Sequence, residues 1–479
     1  MGDHRGETVG RAVQGEGGAG TGGRNGPARL ADVDALRGFA LFGILTVNIT
    51  YLASAYHGTG VDEPGFGSPL DTGVRLLVAL LFEAKFFLLF SFLFGYSFTL
   101  QLDSAERHGA RFTPRFLRRL AGLFALGVLH AVVLFPGDIL TTYAVLGLVL
   151  LALRRIRPAT AVRTAVVLFT VTSAAYGLLA LALRGADGGD RAAAAAAADA
   201  QRATEALRGG LGPVIGAHLD QLPDVVFLLA FFQAPAALAA FLLGLAAGRH
   251  RALADLGRHD RTLRRIQAWG FPVGLLGAAV YTYSALRHPG ASAQVFALGV
   301  DVVTAPLLAA AYAATVLRTA RGRFGRRMVA VLAPAGRMTL TNYLTQSLVC
   351  VLVFTGVGAG LVGRVPPPGV ALIGVVLFAA QAVFCRRWLA RHPYGPVEWL
   401  LRAATTLTRP RWRGAADGAP GVPGMPGVTA VPVPVPVPTD GRSAARAAAG
   451  PPSEPSPGRP PEPSSEPSSG PSSGPPALG

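Results

Sequence analysis

The chain has 479 residues, of which 51% are hydrophobic and only 15% charged, yet its formal net charge is +17. Soluble domains carry about a quarter charged residues, so this composition excludes a soluble enzyme, a coiled coil and a wholly disordered chain. The hydrophobic residues and the excess basic residues must therefore lie in different segments of the chain. The composition therefore predicts an all-α, multipass membrane protein in which arginine marks the loops and gives no indication of nucleic-acid binding.

The first 29 residues are polar and Gly-rich, without the apolar segment of a signal peptide, and predict a disordered cytoplasmic tail. Residues 406–479 form the opposite tail, rich in Pro, Ser and Gly, which cannot bury enough apolar surface to fold. This tail is either dispensable or a ligand for a partner. The single lysine, Lys85, among many arginines is typical of a high-GC, actinobacterial coding bias.

Between the tails, residues 30–405 contain apolar runs of about the length that a bilayer demands. An even number of spans places both termini on the same side, which we expect to be the cytoplasmic side of a bacterial plasma membrane. The second run is long and charged enough to contain a short interfacial helix that leads into a span. The ten runs are 33–54, 75–101, 116–135, 138–153, 160–183, 223–248, 267–286, 294–317, 338–357 and 367–388.

The loops between these runs alternate in charge. Arginines concentrate in one set of segments, which we expect to be cytoplasmic because positive charge accumulates on that side. The opposite set holds few arginines and several acidic residues. The basic set is 1–32, 102–115, 154–159, 249–266 and 318–337, and the opposite set is 55–74, 184–222, 287–293 and 358–366. A missed span would invert every later loop, so the alternation supports ten spans or at least their parity.

Five polar residues fall within or beside the runs, where each is a candidate functional residue because charge in a span costs several kcal/mol. They are Asn48, Glu83, Lys85, His130 and Asp138. Glu83 and Lys85 point about 200° apart on one helix, so each requires a partner elsewhere. The alternatives are a helix cap for Asp138, an interfacial position for His130, snorkelling for Lys85 and an interhelical hydrogen bond for Asn48.

A second polar group lies at the predicted cytoplasmic ends. Asp34 and Arg37 have the i, i+3 spacing of a local ion pair, and Gly38 leaves room for a neighbouring helix. The ninth run opens with a polar set that contains Arg337, Asn342 and Gln346. These residues either bind an anionic ligand from the cytosol or serve helix packing. Cys350 and Cys385 lie in apolar stretches, and no metal-ligand spacing is readable.

Several motifs carry a resemblance to the YeiB family, bacterial multipass proteins classed as a domain of unknown function. The opening DALRGFALFGILTVNI at 34–49 resembles the family's first helix, and KFFLLFSFLFG at 85–95 resembles its second. His130 with GDILTTYAVLG at 137–147 resembles its third-to-fourth helix motif. The segments GRMTLTNYLTQS at 336–347 and GPVEWLLR at 395–402 resemble its C-terminal region. The resemblance covers residues 30–405 and excludes both tails.

The Asp-x-x-Arg-Gly pattern of the first helix is also similar to that of transmembrane acyltransferases, including the heparan glucosaminide acetyltransferase type. That similarity implies acyl-CoA as a cytosolic co-substrate, no bound cofactor, and an extracytoplasmic sugar or lipid-linked glycan as acceptor. Arg37 and Arg337 would then meet the phosphates of the donor. His130 would act as general base, with Asp138 orienting it and Lys85 or Asn48 stabilising an oxyanion.

Two other functions are compatible with the same sequence. A transporter would use Glu83, Lys85, His130 and Asp138 as a proton or substrate pathway, although no internal repeat relates the two halves of the chain. A noncatalytic scaffold would use the Pro-rich tail. The donor, the acceptor and the oligomeric state are not readable from the sequence.

Overall fold

The computed structural model describes residues 25–107, 109, 111–184, 189–253, 259–287 and 291–413. Within these ranges every regular element is a helix. The predictions made for residues 1–24 and 414–479 fall outside the described residues. The helices are α1 (Asn25–Ala53), α2 (Pro69–Leu81), α3 (Lys85–Arg107), α4 (Phe112–Val133), α5 (Ile139–Ala152), α6 (Pro158–Leu183), α7 (Gly189–Leu207), α8 (Leu211–Leu228), α9 (Ala234–Arg249), α10 (Asp260–Arg287), α11 (Ala291–Thr319), α12 (Arg323–Arg337), α13 (Thr339–Phe354), α14 (Pro367–Leu389) and α15 (Pro396–Thr406).

Seven helical segments of the described chain are long and apolar enough to cross a membrane, judged by length and composition. One of them joins α2 to α3, and another joins α8 to α9 through a π-helical turn at Leu229–Gln233. Helices α5 and α13 are apolar but shorter. The ten predicted runs coincide with helix over most of their lengths. The protein is thus a multipass helical membrane protein, while the count of ten spans and the side of each terminus stay predictions.

The second predicted run divides into two helices, an arrangement that its length and charge allowed for. The chain leaves α2 after Leu81, turns through Phe82, Glu83 and Ala84, and begins α3 at Lys85. Ala84 has a φ of 63°, in the left-handed region that interrupts a right-handed helix. Glu83 therefore lies in the break, and the helical angle between Glu83 and Lys85 used in the sequence analysis does not apply. The conclusion drawn from that angle, that each residue needs its own partner, is confirmed below.

The loops that carry few arginines lie together at one end of the bundle. The Gly363 backbone N–H donates to the carbonyl of Ala53 at the end of α1, at 3.0 Å. The Gly356 N–H donates to the carbonyl of Leu207 at the end of α7, at 2.9 Å. Arg208 donates to the Val362 carbonyl from Nη2 at 3.0 Å. Loops far apart in sequence are thus joined at one face, as the charge alternation requires.

The other end joins the arginine-rich segments. Arg249 donates to the carbonyl of Arg154. Asp260 forms ion pairs with Arg318 at 3.2 Å and Arg321 at 3.8 Å. Residues 323–337, read from the sequence as part of a loop, form α12, because one face of this arginine-rich segment is apolar and packs against α1. The two sets of loops therefore lie at opposite ends of the bundle.

Candidate functional site

His130 lies in the last turn of α4, with a side chain that is fully buried between two polar groups. Its Nδ1 is 3.0 Å from Asp138 Oδ1, an ion-pair distance, although the two atoms are not aligned as a hydrogen bond. On the other side of the ring, His130 Nε2 is 2.9 Å from Ser347 Oγ on α13. Ser347 is itself buried. The structure thus joins α4, α5 and α13 through a carboxylate, an imidazole and a hydroxyl.

Asp138 holds the start of α5. Its Oδ2 accepts hydrogen bonds from the Thr141 backbone N–H at 2.8 Å and from Thr141 Oγ1 at 2.7 Å, as an N-cap does. Gly127, one turn before His130 on α4, faces this cap, and a Cβ there would come within 2.6 Å of Asp138 Oδ2. The cap uses one carboxylate oxygen and leaves the other facing His130. The cap and the candidate catalytic role foreseen for Asp138 are therefore compatible.

The link between α4 and α5 lies inside the protein. Pro136 and Asp138 are buried, and Leu134, Phe135 and Gly137 are partly buried. Helix α5 has 14 residues and spans only about 21 Å, short of a hydrocarbon core of about 30 Å. The short link before Asp138 is thus covered by protein, which holds Asp138 at the buried start of α5.

Ser347 shows where the cluster of His130, Asp138 and Ser347 lies along α13. It lies eight residues after the start of α13 at Thr339, about 12 Å along an axis of about 24 Å. The ring of Tyr343, one turn earlier on the same helix, is 4.8 Å from that of His130. His130, in the last turn of α4, therefore lies beside the middle of α13.

Glu83 and Lys85 belong to a second group of polar residues. Lys85 is fully buried, and its Nζ lies 3.4 Å from Asp301 Oδ2 on α11. The Glu83 carboxylate accepts a hydrogen bond from the Tyr281 hydroxyl at 2.9 Å and lies 3.5 Å from His57 Nε2. Between described residues, no hydrogen bond or ion pair joins this group to His130, Asp138 or Ser347. Glu83 and Lys85 therefore belong to a cluster separate from that of His130 and Asp138.

Asn48 joins neither cluster. Its side chain is partly buried on α1, and in the described part of the chain it makes no hydrogen bond. Four residues that contact the predicted site residues were not predicted from the sequence: Asp301, His57, Tyr281 and Ser347. Asp301 was detectable, since it lies in the apolar run 294–317 and falls under the same rule as Lys85.

The predicted ion pair between Asp34 and Arg37 is present on α1. Arg37 also donates from Nη2 to Ser97 Oγ at 2.8 Å, which ties α1 to α3. One turn later on α3, Gln101 accepts from Arg119 Nη1 on α4 at 3.2 Å. Two guanidinium groups from different helices thus meet the same stretch of α3. This is the end of the bundle at which the arginine-rich segments gather.

The polar start of α13 is divided between the surface and the interior. Arg337 is exposed, and its guanidinium lies 3.4 Å from the Pro393 carbonyl. Asn342 bonds Cys385 Sγ at 3.2 Å, and Gln346 donates to Gln381 Oε1 at 2.8 Å, both on α14. Asn342 and Gln346 therefore have partners in helix packing, whereas Arg337 faces solvent beside the α1 terminus. Within the described residues, no group of three or more His, Cys, Asp and Glu side chains is arranged for a metal ion.

Glu398 of α15 anchors α13, which carries Tyr343 and Ser347. Its Oε1 accepts from the backbone N–H groups of Leu340 at 2.7 Å and Thr341 at 3.0 Å. We expect Glu398→Ala to lower the stability by about 1–2 kcal/mol, because two terminal N–H groups lose their acceptor. Thermal melting of the detergent-solubilised protein measures this. Glu398→Gln keeps one side-chain oxygen as an acceptor and should lower the stability less than Glu398→Ala does. Equal losses of stability in the two variants would show that the charge of Glu398, and not its hydrogen bonds, anchors the helix.

Comparison with known proteins places the chain in a family. Residues 247–408 match the family described as "Protein of unknown function (DUF418)". The uncharacterized protein YxaH of Bacillus subtilis is 32% identical over 397 residues, which cover 79% of this chain and 95% of YxaH. The uncharacterized protein YeiB of Escherichia coli is 27% identical over 404 residues, covering 79% of this chain and 96% of YeiB. The chain therefore belongs to the YeiB-like DUF418 family.

Proposed function

We propose that this protein is a membrane-bound acyltransferase that takes an acyl group from cytosolic acyl-CoA and transfers it to an extracytoplasmic sugar or glycan. The observation that carries the proposal is the buried His130, held between the Asp138 carboxylate and a hydroxyl. Imidazole accepts and returns protons near neutral pH, and a carboxylate on its far nitrogen orients the ring and stabilises its charged form. His130 serves as the general base, and Asp138 as the residue that positions it.

The contact of His130 with the middle of α13 supports a path for the acyl group along the bundle. A donor enters from the end where the exposed Arg337 offers its guanidinium group to the phosphates, beside Arg37 and Arg119, which are also held by protein partners. The acyl group reaches the middle of α13 beside His130, and an acceptor approaches from the opposite end. Lys85 is left out of the reaction because it is paired with Asp301. Asn48 is left out because no hydrogen bond connects it to the His130 cluster within the described residues.

The proposal is tested with the purified full-length protein in detergent, acetyl-CoA as donor and release of free CoA thiol as the readout. We expect slow hydrolysis in the absence of an acceptor, and faster release when an accepted sugar or glycan is added. We expect His130→Ala to lower this turnover by about 10²–10⁴-fold, the usual contribution of a general base. His130→Gln should have the same effect while preserving hydrogen-bonding capacity.

His218 provides the matched control. It is also a buried histidine, and its Nδ1 is 3.1 Å from the Val132 carbonyl at the end of the same helix α4. It contacts a backbone carbonyl and not the carboxylate or the serine, so His218→Ala should retain most of the turnover. Melting temperatures of all variants separate loss of activity from loss of fold. Turnover that survives in a folded His130 variant would overturn the assignment.

A transporter is the second candidate, favoured by the buried pair of Lys85 and Asp301. Asp301 Oδ1 is buried and has no hydrogen-bond partner among the described residues, and ionisable groups at such depth often lie on ion pathways. A pH-sensitive dye in proteoliposomes would report proton flux under an imposed potential. Flux that is lost in Asp301→Asn, with CoA release absent from the wild type, would favour the transporter over the acyltransferase.

A further inference from the structure

We propose that Ser347 is the nucleophile of the reaction and carries the acyl group as an ester before it passes to the acceptor. This inference rests on the proposed function and deepens it, because it replaces direct transfer by a two-step path through the enzyme. The observation behind it is the order of contacts: Asp138 Oδ1, His130 Nδ1, His130 Nε2 and Ser347 Oγ follow one another at 3.0 Å and 2.9 Å across the ring. A carboxylate, an imidazole and a serine hydroxyl in this order activate the serine oxygen.

The contacts of Asp138 favour one position for the proton of the imidazole. Asp138 Oδ2 is occupied by two hydrogen bonds from Thr141. Oδ1 lies 3.0 Å from His130 Nδ1, and this acceptor oxygen favours the proton of a neutral imidazole on Nδ1, although the two atoms are not aligned as a hydrogen bond. His130 Nε2 is left with a free lone pair toward Ser347 Oγ. In this tautomer the serine donates its hydrogen to the base, which is the direction that nucleophilic attack requires.

The Ser347 hydroxyl departs from the usual behaviour of such groups in a helix. Serine and threonine in helices commonly donate to a carbonyl three or four residues earlier. In this protein Thr345 donates to the Thr341 carbonyl, Thr355 to that of Val351 and Ser97 to that of Leu93. Among the described residues, the hydroxyl of Ser347 makes its hydrogen bond to His130 instead. The serine is therefore committed to the imidazole and not to its own helix.

The surroundings of Ser347 fit a site for an acyl group. The residue is buried in the middle of α13. The Tyr343 hydroxyl is buried, with the Ile139 backbone N–H and the Asp138 carboxylate among its polar neighbours, and it makes no aligned hydrogen bond within the described part of the chain. It lies on the same face of α13, one turn before Ser347. A hydroxyl donor in that position suits the negative oxygen of a tetrahedral intermediate.

The acyl group passes through the enzyme in two steps. Ser347 Oγ attacks the thioester carbonyl while its proton passes to His130 Nε2; the C–S bond breaks, and the CoA sulfur leaves with that proton as the thiol. The acyl group is now an ester on Ser347. His130 Nε2 then removes the proton from an acceptor hydroxyl, whose oxygen attacks the ester carbonyl. The bond to Ser347 Oγ breaks, and the serine recovers its proton from His130.

A structural alternative uses the same contacts, because Ser347 would also satisfy a buried histidine without reacting. The two roles differ in one measurable respect. A structural serine changes stability when it is replaced, but it does not form covalent adducts. An activated serine reacts with electrophiles, and its reactivity depends on His130. The decisive measurement is therefore covalent labelling, and it does not require that the natural acceptor be known.

The experiment treats the full-length protein in detergent with phenylmethylsulfonyl fluoride and, separately, with an alkyl fluorophosphonate. In each case the serine oxygen displaces fluoride. The modified residue is located by peptide mass spectrometry. We expect adducts on Ser347, none at that position in Ser347→Ala, and at least tenfold slower labelling in His130→Gln. Ser347→Cys provides a second variant, in which the thiol should be acylated by acetyl-CoA as a thioester. Ser91→Ala is the control, because Ser91 is also buried but bonds the Tyr143 hydroxyl at 2.6 Å.

Absence of an adduct on Ser347 of the folded wild type with both reagents would overturn the proposal. CoA release measured in parallel separates it from the proposed function. If release requires His130 but persists in Ser347→Ala, acyltransfer stands by a direct route and the serine intermediate is wrong. If Ser347 is labelled in a His130-dependent manner but acetyl-CoA is not consumed, the nucleophile stands and the donor class is wrong.

Discussion

Lys85→Met is expected to lower the free energy of unfolding by about 3–5 kcal/mol, one of the two largest effects expected in the bundle. The Lys85 and Asp301 side chains are 0% and 3% exposed, and Nζ lies 3.4 Å from Oδ2. Removal of the ammonium leaves a buried carboxylate whose Oδ1 already lacks a partner among the described residues. Heating of the detergent-solubilised protein, followed by size-exclusion chromatography of the fraction that stays soluble, measures the loss.

The double variant Lys85→Met with Asp301→Leu provides the decisive comparison. Replacing both members of a buried ion pair with apolar side chains of similar size is often neutral, because no charge is left without a partner. We therefore expect the double variant to recover most of the stability that either single change removes. Asp199→Asn is the control, because its ion pair with Arg202 is exposed and should contribute little.

Additive losses of stability in the double variant would contradict the prediction, since they would show that the two charges do not depend on each other.

The same variants also distinguish the two candidate functions. In the proposed acyltransferase the pair is structural, so a folded double variant should keep its CoA release. In a transporter that uses these charges, the double variant would be folded and inactive.

The helices could be predicted from the sequence to a large extent, because bilayer-length apolar runs and the charge of the loops are local properties. The ten runs fall on helices, and the long second run divides near its two charged residues. The structural features that could not be predicted depend on contacts with residues distant in sequence. Residues 323–337 read as a loop because their arginines dominate the composition, yet their apolar face is sufficient to fold α12 against α1.

The candidate site was predictable only in part, for a related reason. His130 and Asp138 stand out because charge and imidazole are conspicuous in an apolar run. Ser347 does not, because a hydroxyl in a helix is ordinarily satisfied by its own backbone and gives no sign of a distant partner. Its contact with His130 spans 217 positions and exists only in the folded bundle. The same holds for Tyr281 and Glu83, which lie 198 positions apart.

Gly95→Ala and Gly244→Ala are expected to destabilise the protein by about 3 kcal/mol each, at the upper end for overpacked sites. Helices α3 and α9 cross at these two glycines in a reciprocal manner. A Cβ on Gly95 would overlap the Phe241 carbonyl oxygen of α9, and a Cβ on Gly244 would overlap the Phe92 carbonyl oxygen of α3. Both obstacles are backbone atoms, so the helices must separate to admit a methyl group. Melting temperature in detergent reports the loss.

Gly177 on α6 is the matched control, since a Cβ there would meet nothing within 4 Å. Gly177→Ala should leave stability unchanged or raise it by up to about 1 kcal/mol, because alanine favours helix more than glycine does. The double variant of Gly95 and Gly244 should cost less than the sum of its parts, because separation of the helices for one methyl group makes room for the other. Full additivity would mean that the two contacts do not share one crossing.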